Sequence, residues 1–204
     1  MWPFAKKKEP GAVEYGEITT RLTAFTFDLV ILFYPVYYLT TIIVAMYYPE
    51  GSIMTQLNAK VTAEHPELAN DSASMMQYII LKYPNEMKRA LEHLFFGCMV
   101  QYLLVGLYVI PMTYKYGATL GKMIVGIKVI DLITGNKPTL SQSIIRYIGY
   151  LFSVVPLGLG IIWGSFQARK RCWHDYFGDS LVVYDSKRWY KKYLDRLKAY
   201  FNLK

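Results

Sequence analysis

The amino-acid sequence predicts an all-α integral membrane bundle. It has two full transmembrane helices, a third hydrophobic region folded as a helical hairpin or re-entrant pair, a small cytoplasmic β-ribbon and a C-terminal amphipathic helix. Three observations carry the prediction. First, charge is missing from three long stretches: residues 22–48 hold only Asp28 in 27 positions, and residues 93–114 and 147–168 hold no Asp, Glu, Lys or Arg in 22 positions each. These lengths match the roughly 20 apolar residues that cross a hydrocarbon core of about 30 Å. Second, tyrosines crowd the ends of the runs, at Tyr47, Tyr48, Tyr114, Tyr116, Tyr147 and Tyr150, where amphipathic rings settle at the membrane–water boundary. Third, the basic residues are divided unevenly among the connecting segments.

The elements follow in order. Lys6, Lys7 and Lys8 precede a polar stretch, the first apolar run has full spanning length, and no small-residue cleavage site follows it. That run is therefore expected to stay as the first transmembrane helix rather than leave as a signal peptide. Pro35 and Pro111 lie inside the first two runs, where neighbours or water can satisfy the freed carbonyls. Residues 49–92 read as a polar outer loop without a long periodic face, helical in part, near 70–82. Residues 123–131 are rich in Val and Ile and end at Thr134-Gly135-Asn136, the pattern of a short strand entering a turn. A second short strand is expected at 181–184. Residues 1–186 thus form the membrane domain, and residues 187–204 a separate basic helix.

The third run is settled by charge. Residues 1–21 carry four basic side chains, 115–146 five, and 169–204 ten; residues 49–92 carry four against six acids. The positive-inside rule puts the first three segments in the cytoplasm and the 49–92 loop outside. A straight third span would carry the ten-charge tail to the wrong side. Pro156-Leu157-Gly158-Leu159-Gly160 is a turn signal inside the run. Two arms, about 140–155 and 159–168, are therefore expected to leave and return on the cytoplasmic side, with the turn packed against the first two helices.

Composition agrees. The chain has 204 residues, 53% apolar and 19% charged, with a formal net charge of +8. That apolar content excludes disorder, and two cysteines exclude a disulfide-stapled scaffold. Of the 23 basic residues, 19 fall on segments assigned to the cytoplasm, so the excess charge reads as topology and lipid contact rather than nucleic-acid binding. In the tail, Trp189, Tyr193, Leu197 and Phe201 recur every four residues, with Lys191, Lys192, Arg196 and Lys198 mostly off that face. This basic amphipathic pattern suits anionic lipid at the inner surface, or packing on the protein's own domain or a partner.

Asp28 is the sharpest single residue. It sits two helical turns past Arg21, within an apolar span, where a charge is costly and marks a functional site by default. It reads either as a carboxylate carrying a proton or monovalent cation, or as a structural anchor paired with Arg146, Lys122 or Arg21. Gly117-Ala-Thr-Leu-Gly121-Lys122 is not a phosphate loop: its glycines are one residue too close and Met123 replaces the magnesium-binding hydroxyl. Gly160 and Gly164 form a small-xxx-small pair suited to close helix packing. Cys98, Cys172, His65, His93 and His174 show no metal-site spacing, and no nucleophile motif is present. No enzyme activity, metal or cofactor is expected.

Together these pieces resemble the RDD family of membrane proteins. The resemblance rests on Arg21-Leu-Thr-Ala-Phe-Thr-Phe-Asp28, on Gly117 to Lys122 leading into Gly126-Ile-Lys-Val-Ile, on Pro156 to Gly160, and on Arg169-Lys-Arg-Cys-Trp-His174-Asp175. It covers residues 18–184 and makes Asp175 the second aspartate of the pattern. Gln167-Ala168 stands where many members have an aspartate–proline pair, and the outer loop is longer than usual. The resemblance implies either a small ion or solute transporter, with cation/proton antiport suspected for some members, or an accessory subunit of a membrane complex. On the first reading Asp28 exchanges a proton for a cation, Arg21 tunes it, and Asp175 and Lys122 shape the cytoplasmic mouth. A chain this small is then expected to oligomerise. On the second, Arg21, Asp28 and Asp175 hold helix ends to the inner-face strands.

Overall fold

The computed structural model describes residues 14–185. Two helices are long and apolar enough to cross a membrane: α1 (Ile18–Tyr47) and α4 (Pro84–Tyr116). At 1.5 Å per residue they are about 45 and 50 Å long. Both run through their prolines, Pro35 and Pro111, without breaking. The chain divides into two compact units, Leu32–Gly106 and the remainder, and α1 and α4 contribute to both.

In the Leu32–Gly106 unit, α2 (Ile53–Glu64) and α3 (Ser72–Lys82) flank a short 3-10 turn, Pro66–Leu68. Ser52 caps α2 by accepting from Thr55 N, and Asp71 caps α3 by accepting from Ala73 N and Ser74 N. Helix α2 buries Ile53, Leu57 and Val61, and Leu57 and Val61 pack with Ile79 of α3. This stripe has one large buried residue per turn, too narrow to register as a periodic face in the sequence.

The other unit holds α5 (Leu120–Val125), β1 (Ile127–Asp131), α6 (Leu140–Val154), α7 (Leu159–Phe166), α8 (Trp173–Phe177) and β2 (Ser180–Tyr184). Strands β1 and β2 pair antiparallel from Ile127↔Tyr184 to Asp131↔Ser180. A two-stranded ribbon alone is marginal in water. Here Ile127, Val129 and Val182 bury against Ala24 of α1, and Gly16 N donates to Val182 O at 2.8 Å. The expected strand at 123–131 is shorter at its start, because residues through Val125 are helical. Gly126, at φ 76°, ends α5 in the left-handed conformation that suits glycine. A continuous apolar run does not by itself distinguish the two states.

The third hydrophobic region is two helices, α6 and α7, bent by 99°. Thr139 and Gln142 close a capping box at the start of α6. The expected packing of the turn against the first two helices is not found: Val155 is 76% and Leu157 94% exposed. The turn satisfies its backbone locally instead, through Gly158 N to Val154 O (2.9 Å), Leu159 N to Pro156 O (3.0 Å) and Ile162 N to Gly158 O (3.1 Å). Pro156 has no N–H to satisfy. The amphipathic tail, with Trp189, Lys191, Lys192, Arg196 and Lys198, lies outside the described residues.

Candidate functional site

Asp28 points at the start of α5. Tyr108 donates its hydroxyl to Oδ1 at 2.9 Å, Gly121 N donates to the same oxygen at 2.8 Å, and Thr119 Oγ1 donates to Oδ2 at 2.5 Å. Leu120 N in turn donates to the Tyr108 hydroxyl at 2.9 Å. The first free N–H groups of a helix need acceptors. Thr119 holds the N-cap position of α5 but makes no side-chain cap bond. Asp28, 91 residues away from it in sequence, does that work through its own carboxylate and through Tyr108.

The glycines of the Gly117–Lys122 segment follow from this. A Cβ at Gly121 would collide with the Ala24 carbonyl and come within 2.9 Å of the Asp28 carboxyl carbon. Gly117 adopts φ 72° and accepts from Val129 N through its carbonyl, joining the turn to β1. None of the three basic partners expected for Asp28 pairs with it.

Arg21 instead reaches Asp175. Its Nη1 lies 2.5 Å from Oδ2, and its Nε donates to Gly16 O at 3.0 Å. Arg146 Nη1 lies 2.5 Å from the other oxygen, Oδ1, and donates to Ser180 Oγ. Cys172 N also donates to Asp175 Oδ2 at 2.9 Å. One carboxylate thus joins α1, α6, α8 and the loop before α8. The Asp175 side chain is 0% exposed, Arg146 3% and Arg21 9%. Burial alone would push the Asp175 carboxyl up, but the Arg146 and Arg21 charges outweigh it and hold it well below the usual carboxylate range.

Glycine and serine make room for this. A Cβ at Gly149 would meet His174 Cα at 3.0 Å, one at Gly160 would meet Ser153 Cα at 2.6 Å, and one at Gly164 would meet Cys172 Sγ at 2.9 Å. Gly160 and Gly164 sit in close packing, with Ser153 of α6 and Trp173 of α8 at the first and Cys172 and Ile18 of α1 at the second.

Two chemical readings of this cluster fail on its geometry. Ser153 Oγ lies 3.1 Å from His174 Nδ1, and His174 Nε2 lies 3.5 Å from Asp175, the order of a Ser–His–Asp relay. However, Ser153 is 0% exposed and donates its hydroxyl to Gly149 O, while Asp175 is held by two arginines. No substrate reaches this serine. Cys172, His174 and Asp175 also place one donor atom each within 4.8 Å of one another. Burial pushes the Cys172 thiol up to about 11 and holds the His174 imidazole well below its ordinary range. A thiol that stays protonated, beside two guanidiniums, is a poor cation ligand.

Lys122 is buried. Its charge reaches Tyr150 and His174. The sequence did not single out Tyr108, Thr119, Gly121, Ser153, His174 and Ser180 as partners. Most lie far along the chain from the group they serve; Thr119 and Gly121 carried a signal only as part of the Gly117–Lys122 motif, and His174 only as part of the basic run ending at Asp175.

The chain is 32% identical over 118 residues to the uncharacterized protein RP437 of Rickettsia prowazekii (strain Madrid E), a stretch covering 57% of this chain and 65% of that relative. The match therefore spans just under two thirds of the relative's length. No solved structure gives a significant match. The RDD family profile matches residues 15–179, a range that holds Arg21, Asp28 and Asp175 together with every partner described for them except Ser180. With that match over most of its length, the chain belongs to the RDD family.

Proposed function

We propose that the protein is an accessory, non-catalytic subunit of a larger membrane complex, and that its charged motif fastens the fold rather than carrying ions. The observation behind this reading is the engagement of Asp28, whose carboxylate takes three donors from its own chain. A carrier must release its ligand groups in every cycle, whereas releasing these would uncap α5. The spans also leave their surface for others to cover: only 6% of the apolar window of α1 and 11% of that of α4 is buried within the chain. The topology proposed with it has both termini in the cytoplasm, the 49–92 loop outside, and α6–α7 as a re-entrant pair. Residues 14–16, β1, β2 and α8 gather in one unit, which supports an even number of full crossings between them.

A photo-crosslinker at Tyr34 or Leu107, 77% and 74% exposed, tests the proposal in the native membrane. One heterologous band at fixed stoichiometry, lost on competition with unlabelled protein, supports it. Crosslinks to lipid alone refute it.

The competing reading, cation/proton transport, draws on a different feature of the same site. Asp28, Thr119 and Tyr108 converge oxygens at span depth, the ligand type a desolvated monovalent cation uses. Crosslinking to a second copy of the chain, together with ion flux, favours this reading.

A further inference from the structure

The cluster around Asp175 carries more positive charge than its carboxylates balance. Four basic side chains, Arg21, Lys122, Arg146 and Arg171, are nine-tenths buried or nearly so. Among the described residues, the only buried carboxylate that any of them pairs with is Asp175, which meets Arg21 and Arg146; Arg171 donates only to the Asp175 backbone carbonyl. Arg171 also has Asp179 at 3.9 Å, itself 68% exposed. The other two buried aspartates are occupied elsewhere: Asp28 by Tyr108, Thr119 and Gly121, and Asp131 by Ile133 N, Thr134 N and Gln142. No ion pair or side-chain hydrogen bond among the described residues reaches Lys122 Nζ, although its charge is felt at Tyr150 and His174.

Donors are in surplus as well. Arg21 Nη2, Arg146 Nε and Arg171 Nε are buried without a hydrogen-bond partner, three donors against one such acceptor in the cluster, Asp175 Oδ1, which Arg146 meets only as an ion pair. Buried charge without a counter-charge is strongly unfavourable, and a buried donor without an acceptor calls for a missing water or ion. An anion answers both at once. A metal ion answers neither.

We propose that this cluster is an oxyanion site of phosphate chemistry, with the unpartnered N–H groups of Arg21, Arg146 and Arg171 as its donors and buried Lys122 as its unpaired cation. Guanidinium forks and ammonium groups both bind phosphate oxygens, and phosphate offers more oxygens and more charge than a single carboxylate. Arg21 lies in the first turn of α1, level with the end of a spanning helix, where phospholipid headgroups lie. The phosphate can therefore come from a phospholipid headgroup or from free inorganic phosphate.

The full chain in nanodiscs separates these sources. The first arm uses phosphatidylcholine discs titrated with inorganic phosphate against chloride at equal ionic strength. The second uses phosphatidylglycerol discs without phosphate. Thermal stability is read in both, with Lys122→Gln and Lys122→Arg alongside wild type. A ligand that binds only the folded state raises Tm with the logarithm of its concentration. The site predicts a gain for wild type in at least one arm, and the arm that responds names the source. Lys122→Gln weakens the response by about tenfold or more in apparent affinity, and Lys122→Arg keeps it. In phosphatidylcholine without phosphate, Lys122→Gln is at least as stable as wild type, because a buried unpaired charge has been removed.

Three results would overturn the proposal. One is no gain for wild type in either arm. Another is an equal gain in Lys122→Gln. The third is a Lys122→Gln protein less stable than wild type with no anion present, which shows the amine to be paired within the chain.

Discussion

Replacing Asp175 by Asn removes one charge and little volume, so it isolates what the carboxylate does. In the wild type two guanidiniums lie 2.5 Å from its oxygens, with exposures of 9% for Arg21, 3% for Arg146 and 0% for the acid. Removing one partner of a buried pair costs about 3–5 kcal/mol, because the remaining charge stays buried without compensation. Here two cations lose the same partner, so Asp175→Asn is expected to cost at least about 3 kcal/mol. A domain's whole stability is about 5–15 kcal/mol, so the variant should accumulate poorly and melt early. Asp179→Asn is the control: its 3.9 Å contact with Arg171 involves a 68% exposed side chain, and such pairs contribute about 1 kcal/mol or less. Unfolding is measured in mixed micelles by circular dichroism, across pH. Asp175 is held below its unfolded value, so its contribution is full above about pH 4 and fades as pH falls through that value. The gap between wild type and Asp175→Asn should therefore narrow in acid. A gap under about 1 kcal/mol at neutral pH, or one that widens in acid, refutes the assignment.

Four further outcomes follow from the same geometry. Gly121→Ala places a methyl against the Ala24 carbonyl and should cost at least about 2 kcal/mol in micelle unfolding by overpacking, whereas Gly135→Ala, with open space around it but φ 67°, should cost about 1–2 kcal/mol of backbone strain. His174 is buried and held well below its ordinary range, so stability should fall as pH drops below about 6.5, and His174→Gln should flatten that slope in a Tm series from pH 8 to 5. Cys172 is 0% exposed with its thiol pushed up to about 11, so maleimide should label it only after SDS denaturation, as read by mass spectrometry. Thr119→Val keeps the shape but removes the donor to Asp28, and should cost about 1–3 kcal/mol in the same unfolding assay.

The sequence made the spans legible because lipid imposes a length rule with little tolerance. The 99° break in the third region was legible for a related reason: loop charge and Pro156-Leu157-Gly158 agreed. What covers that turn was not legible, because local hydrogen bonding can replace tertiary packing there, and only coordinates show which is used. In the site, Arg21, Asp28, Asp175, Lys122 and Arg146 stood out because charge within or beside apolar runs is conspicuous. Their pairing was misread. Arg21 and Asp28 share a helix, so proximity suggested a partnership. The fold instead sends Arg21 to Asp175, 154 residues away, and Asp28 to Gly121, 93 residues away. Gly117, Thr119 and Gly121 looked like a damaged nucleotide motif because their real constraint, the approach of α5 to Ala24 and Asp28, depends on distant residues. The helix α2 was missed because its three buried residues, Ile53, Leu57 and Val61, leave no broad stripe.

The proposed accessory role requires Asp28 to be a permanent latch rather than a carrier. Reconstituting wild type and Asp28→Asn in proteoliposomes, each first shown to be folded by its thermal transition, and following cation-driven proton movement across an imposed gradient tests this most directly. The latch predicts no flux above empty vesicles for either protein, and an Asp28→Asn variant that melts earlier than wild type. Wild-type flux abolished in a folded Asp28→Asn protein of unchanged stability would contradict it.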